Sequence, residues 1–342
     1  MQWWKRGNCV CGWPLAAGDR MEQKGCTLLP APISWFPFMP DLSPLPLPAP
    51  LAAALAACPP LAGALRREAG DRLQVTAVSG LSNHVYRLTG EAGSFVLRVE
   101  RAENQGLVDR QTEAEFSRVA EQLGLGPRVV LAVPEQGVML IEAVPDAHPL
   151  AAAGAAGAEL LGALLARLHG AAAAFGGLAR PPVFVPSQRL REMILAAEAD
   201  GAAPEDLAFL RDAAGGLAAV PQGLPAPCHC DLVPGNILSD AERLWLIDWE
   251  YAGWSDPAWD LAYAVLECGL DVAAEAALLT AHAAGLAHGE DPDVMRRRVA
   301  AMKPVCDGIS ALWALGQAAR GNDAADFRAF AAQRLVRARH SA

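Results

Sequence analysis

A chain of 342 residues, 53% hydrophobic and 19% charged, is long enough for one large globular domain or two ordinary ones. Its formal charge of −10 argues against a broad nucleic-acid surface, which needs basic stripes to meet phosphates. Twenty-five arginines accompany three lysines, Lys5, Lys24 and Lys303, so a Walker A loop and a central Schiff-base lysine are excluded.

Residues 1–50 hold four of the nine tryptophans and a run of prolines from Pro30 to Pro50, a spacing that forbids regular elements. A disordered leader, or a start assigned too far upstream with Met21 and Met39 as alternatives, is expected there. From 51 the pattern becomes regular. A helix over 51–69 is interrupted at Pro59-Pro60, and strands over 73–78, 84–88 and 95–99 alternate with turns as an antiparallel meander. A helix over 109–123 and strands over 128–133 and 138–142 complete an α+β lobe spanning 51–143. The remainder, 144–342, is alanine-rich and helical. Helices are expected over 155–174, 189–199 and 205–217, then over 258–268, 272–286, 293–319 and 324–337, with a compact non-helical patch at 228–259 between the two sets. Eight scattered cysteines with no C-x-x-C pair read as reduced cytosolic thiols, and no apolar run reaches the roughly 18 residues of a membrane span.

The chemistry is concentrated in that patch. His229-Cys230-Asp231 and Asn236 form H-x-D-x-x-x-x-N, followed by a short hairpin and an apolar strand ending at Asp248. Pairing 237–238 with 244–247 brings Asn236 and Asp248 to one end of the hairpin. An amide oxygen and a carboxylate there suit Mg²⁺, and Asp231, one loop away, is placed to take a proton from a substrate hydroxyl. A zinc site from Cys228, His229, Cys230 and Asp231 is the rival use of these residues. Alternating side chains in an extended segment point to opposite faces and oppose it.

From His229 to Asp248, and on through Trp249-Glu250-Tyr251 to Asp260-Leu261-Ala262, the sequence resembles the catalytic loop of aminoglycoside phosphotransferases and choline/ethanolamine kinases. The resemblance covers about 60–340. It implies a two-lobed protein-kinase-like fold, with a small strand-rich N-lobe over a larger helical C-lobe, and ATP and Mg²⁺ as cofactors. By the same resemblance Asp231 is the catalytic base, His229 shapes the loop, Asn236 and Asp248 hold the metal, and Asp260 anchors the loop through backbone amides. Ser79, Gly80, Ser82 and Asn83 correspond to the nucleotide loop. Arg98 stands where the phosphate-binding lysine belongs, Glu113 rather than Glu115 is its partner acid, and Glu142 to Val144 is the segment that reads adenine.

Trp245, Trp249, Trp254 and Trp259 crowd together with Tyr251, Tyr263 and several carboxylates nearby. Aromatic faces beside acids are a recipe for a quaternary ammonium, although core packing uses the same residues. Trp313 and Tyr251 are candidate faces and Glu250 a candidate counter-charge for a small-molecule amino alcohol, choline or ethanolamine. An aminoglycoside, thiamine, or an inactive kinase-fold binding module are the alternatives.

Overall fold

A computed structural model describes residues 47–341, except 71, 79–82, 103, 104, 107, 151–153, 178–181, 240–242, 287–290, 323 and 324. Of the leader expected over 1–50, residues 1–46 lie outside the described residues, as do Ser79, Gly80 and Ser82, while its last two residues, Ala49 and Pro50, already belong to a helix. The first elements among the described residues are α1 (Ala49–Ala57) and α2 (Pro59–Ala69), joined through a 105° bend at Cys58. The bend falls where Pro59 and Pro60 open the second helix, because proline is tolerated in a first turn, where its missing N–H costs no intrahelical bond. Strands β1 (Gln74–Val78), β2 (Asn83–Thr89) and β3 (Ser94–Glu100) form the expected meander. After α3 (Arg110–Gln122) come β4 (Val129–Val133) and β5 (Val138–Glu142), and the sheet runs β1-β2-β3-β5-β4. Leu51, Leu61 and Leu65 of the first two helices pack on Tyr86, Leu88, Leu97 and Leu140 of this sheet, closing the core of the N-lobe.

The C-lobe differs from expectation in small but informative ways. The helix expected over 155–174 is two helices, α4 (Gly154–His169) and the single turn α5 (Ala172–Phe175), separated at Gly170. Next come α6 (Pro186–Ala199) and α7 (Pro204–Ala219). The compact patch holds β7 (Ala226–Cys228), β8 (Ile237–Ser239), β9 (Leu244–Leu246) and β10 (Gly253–Ser255). β8 and β9 pair as the expected hairpin, and the two-residue β6 (His148–Pro149) joins its outer edge. β10 turns back to pair with β7, a non-local pairing that no run of hydrophobic residues announces. The chain ends in α8 (Pro257–Glu267), α9 (Val272–Gly285), α10 (Pro292–Ala319) and α11 (Phe327–Ser341). Among the described residues no single helix is long and apolar enough to cross a membrane.

Two features set the C-lobe frame. Helices α4 and α9 lie almost in backbone contact, since a Cβ on Gly162 would fall 2.2 Å from the Leu278 carbonyl oxygen and one on Gly285 2.6 Å from the Ala166 Cβ. Helix α11 is pinned from the other side. Arg334 reaches Glu267 (Nη2–Oε2 2.8 Å), and Arg337 grips the fully buried Asp307 through Nε and Nη2 (2.8 and 2.6 Å). Gly162→Ala is therefore expected to cost roughly 1–3 kcal/mol by overpacking. Gly215→Ala, on the open face of α7 with nothing within 4 Å, should gain about 0.4–1 kcal/mol. Chemical denaturation of the two variants against wild type checks the contrast; equal effects would remove the close helix contact as the cause.

Candidate active site

The loop after β7 is shaped by one buried carboxylate. Asp256 caps α8, accepting from the Ala258 N–H at 2.9 Å, and this places Asp260 in the first turn pointing at the loop. Asp260 accepts from the backbone N–H of His229 (2.8 Å) and of Cys230 (2.9 Å). Cys230 is left-handed (φ 65°), a conformation that costs a non-glycine residue on the order of 1–3 kcal/mol. Asp260 holds its N–H, and the Trp259 indole N–H donates to its carbonyl at 3.2 Å. The His229 ring completes the loop. Its Nε2–H donates to the Ile247 carbonyl at 2.9 Å and its Nδ1 accepts from the Asp231 N–H at 3.3 Å, so the ring bridges the loop and the strand ending at Asp248. Burial lowers its pKa, which keeps it neutral in that role.

The β8–β9 hairpin does what its pattern promised. The Ile247 N–H donates to the Asn236 carbonyl at 3.0 Å, setting Asn236 beside the start of the Asp248 turn. The Asn236 amide nitrogen donates to Asp231 twice, to its carbonyl (3.0 Å) and to Oδ2 (3.1 Å), so the amide oxygen is turned away from Asp231. Asp248 is also left-handed (φ 64°), and its side chain is 34% exposed at the cleft.

From the N-lobe, Arg98 on β3 forks onto Glu113 of α3, with Nη1 on Oε1 and Nη2 on Oε2 at 2.6 Å, and reaches Asp248 through Nη1 at 3.4 Å. Glu115 instead accepts from Gln111 at the surface. Burial pushes the Glu113 carboxyl upward, but Arg98 and Arg110 outweigh it and hold it below the ordinary range.

Several expected residues lie elsewhere than their assigned roles require. The Asn83 side chain faces inward, its Oδ1 accepting from Arg110 Nη2 at 3.0 Å, because β2 starts there and carries it into the lobe interior. Glu250 needs correcting as a free counter-charge: it is buried and ion-paired with Arg110 (3.1 Å), so its charge is spent inside the protein. Burial and the neighbouring Asp248 raise its pKa to about 7 against the pull of Arg110. Trp313 is buried on α10, edge-on to Phe327 and Phe330, while Tyr251 is buried in the turn before β10. Glu142 closes β5, its N–H bonded to the Arg128 carbonyl and its carboxylate to the Arg128 side chain (both 2.9 Å), and Val144 follows, nearly buried. The zinc alternative finds no convergence either. Cys228 turns its thiol to the Ser255 carbonyl, on the side of His169 and Asp260 and not of His229.

Sequence reasoning missed three residues. Arg110 carries no assignment in the sequence analysis, although its i,i+3 spacing to Glu113 is a usable signal. His169 reaches Asp260 through Nε2 (3.2 Å), and His282 reaches His169 Nδ1 through Nε2 (2.9 Å). Nothing local distinguishes these histidines from ordinary helix residues; the close approach of α4 and α9 joins them.

The residues fit a metal-bound nucleotide. Two guanidiniums, Arg98 and Arg110, stand among four carboxylates, Glu100, Glu113, Asp248 and Glu250, an excess of negative charge that favours a divalent cation. An amide oxygen and a carboxylate are hard donors of the type Mg²⁺ takes. The Arg98 Nε is buried without a hydrogen-bond partner among the described residues, so that donor is not used up by the Glu113 fork.

A strand-rich lobe presenting an arginine–glutamate pair to a loop bearing Asp231, Asn236 and Asp248 defines a kinase-like phosphotransferase. The chain belongs to the phosphotransferase enzyme family, whose model matches residues 74–298. It is similar to protein LicA of Haemophilus influenzae, 28% identical over 202 residues that make up 57% of this chain and 58% of that protein. The match thus spans little more than half of that relative. A choline/ethanolamine kinase family protein from Mesorhizobium loti has the same fold at 30% identity and a TM-score of 0.69, covering 85% of this chain and 93% of the other. LicA in complex with AMP also shares the fold, at 21% identity and a TM-score of 0.62, over 83% of this chain and 98% of that one.

Since His282 sets which nitrogen of His169 faces Asp260, His282→Leu should lower turnover about tenfold, matching the ~1.4 kcal/mol of one lost buried hydrogen bond. His282→Gln, whose amide can still donate, should recover part of it. Steady-state kinetics at matched folded fraction test this; wild-type turnover in His282→Leu would show that the loop does not depend on the histidine pair.

Proposed function

We propose that this protein transfers the γ-phosphate of ATP, held with Mg²⁺, to the hydroxyl of a small amino alcohol, choline or ethanolamine. The observation that carries the phosphotransfer reading is the joint placement of Asp231, Asn236 and Asp248 opposite the Arg98–Glu113 pair. The acceptor reading is supported by the likeness to a choline/ethanolamine kinase family protein along nearly its whole length. Trp249, Tyr251, Trp259 and Tyr263 are buried in the core, so the acceptor reading rests on that likeness. A cytosolic location belongs to the same reading, supported by the free, buried thiols of Cys58, Cys228, Cys230, Cys268 and Cys306.

In this reading Asp231 orients the acceptor hydroxyl and receives its proton as the acceptor oxygen bonds to phosphorus and the bond to the leaving nucleotide oxygen breaks. Asn236 steadies the Asp231 carboxylate through Oδ2 and offers its own amide oxygen to the metal beside Asp248. Bound Mg²⁺ supplies charge neutralisation for the phosphates. Arg98 keeps a cation at the phosphates, and His229 and Asp260 keep the loop in its strained shape.

Asp231→Asn should lower turnover by about 10²–10⁴ while nucleotide affinity stays near wild type, because the base contributes to proton transfer and not to holding ATP. Asp248→Ala should lose metal-dependent nucleotide binding together with turnover. An ATP-consumption screen over choline, ethanolamine, thiamine and aminoglycosides, with nucleotide titrations of both variants, tests the proposal. Near wild-type turnover in Asp231→Asn would overturn the base assignment, and consumption with an aminoglycoside alone would overturn the acceptor.

A further inference from the structure

An arginine at the phosphate position poses a physical problem. A lysine ammonium is a compact charge with rotating donors, whereas a guanidinium is planar and offers its donors in a fixed fork. Both Nη atoms of Arg98 are engaged by the two Glu113 oxygens. Paired carboxylate–guanidinium forks are strong, so Glu113 acting alone would compete with a phosphate for the same donors.

The structure supplies a second cation for that glutamate. Arg110 Nη1 donates to Glu113 Oε2 at 2.8 Å, the same oxygen that Arg98 Nη2 uses. The remaining Arg110 donors go to three other segments: Nε to Glu100 Oε1 at the end of β3 (2.8 Å), Nη2 to Asn83 Oδ1 at the start of β2 (3.0 Å), and Nη1 also to Glu250 Oε2 (3.1 Å). Glu250 belongs to the C-lobe and follows Asp248 by two residues. One guanidinium, 6% exposed, therefore joins the acid behind Arg98, the strand entered from the nucleotide side, and the metal-bearing turn of the other lobe. Helix stability does not account for its position. Arg110 is the first residue of α3, where a cation opposes the helix dipole, and Asp109 already caps that end. Its surrounding carboxylates are what keep it there.

We propose that Arg110 is a positioning residue for the nucleotide. By sharing Glu113 it frees Arg98 to turn donors toward phosphate, and by holding Glu250 it ties that arrangement to the closed approach of the two lobes. This inference rests on the reading of Arg98 as a phosphate contact.

The test uses the full chain with Arg110→Gln, Arg110→Lys and the double variant Arg110→Gln/Glu250→Gln. Affinity for a non-hydrolysable ATP analogue with Mg²⁺ is measured by calorimetry, KM for ATP and for the acceptor by kinetics, and melting temperature alongside. Arg110→Gln is expected to weaken analogue binding about tenfold and to raise the KM for ATP in step, with the acceptor KM within about twofold of wild type. Adding Glu250→Gln removes one of the two buried acids that lose their cation, Glu100 being the other, so it should restore part of the melting temperature and leave the affinity low. Analogue binding within about twofold of wild type in Arg110→Gln would overturn the inference. So would recovery of both melting temperature and affinity in the double variant, which is the signature of charge balance alone. If Arg110→Gln does not fold, Arg110→Lys decides: it retains the charge but cannot serve four partners, so weakened binding is expected and wild-type affinity overturns the inference. A wild-type protein that binds no analogue would instead bring down the nucleotide reading on which the inference stands.

Discussion

Everything in the catalytic half of this protein depends on the buried carboxylate of Asp260. Fully withdrawn from solvent, it collects two consecutive backbone N–H groups and the Nε2 of His169. An isolated buried charge is costly, and a carboxylate with three donors is the form in which a core tolerates one. Those bonds pull Cys230 into the left-handed region and so turn Asp231 out of the line of β7. Without that tie the His229–Asp231 segment has no local reason to hold a strained conformation, and it would relax into an ordinary extended loop.

The charge distribution across the cleft follows a second constraint. Arg98 and Arg110 lie deep between Glu100, Glu113, Glu250 and Asp248, and each glutamate meets at least one guanidinium. Removing one member of such a set typically costs several kcal/mol because its partner is left charged and buried. The set therefore behaves as a unit, and it crosses from one lobe to the other through Arg110 and Glu250. Membership of the phosphotransferase enzyme family describes the reaction class. This cross-lobe set describes how the present chain arranges its cations with an arginine, and no lysine, on β3.

The aromatic residues are divided between several jobs. Trp249 lies against His229 and Phe116, joining the loop to α3, and Trp259 stacks on Tyr263 and meets Phe184 edge-on. Trp245 lies under the Arg243 guanidinium, 3.5 Å from its ring centre. A cluster of tryptophans in sequence is thus dispersed in space, because alternate residues of strand and turn point to different sides. Those that remain near Asp231 also carry the core, so their packing and any contact with an acceptor cannot be separated by composition alone.

The sequence by itself determined the parts of this protein that local pattern specifies. Alternating strands and turn residues spelled out the meander and the β8–β9 hairpin, and the pairing of that hairpin sets Asn236 beside the turn that carries Asp248. Proline positions marked the break between α1 and α2. Tertiary structure decided which side chains share a charge or a proton across long separations. Arg110 meets Glu250 over 140 residues, and His169 meets His282 over 113. It also withdrew Asn83 and Glu250 from the ligand side, since only the packed lobes reveal that Arg110 already occupies both. The physical reason is range: periodicity and turn chemistry act over a few residues, while ion pairs and buried hydrogen bonds are selected by which surfaces the hydrophobic core brings together.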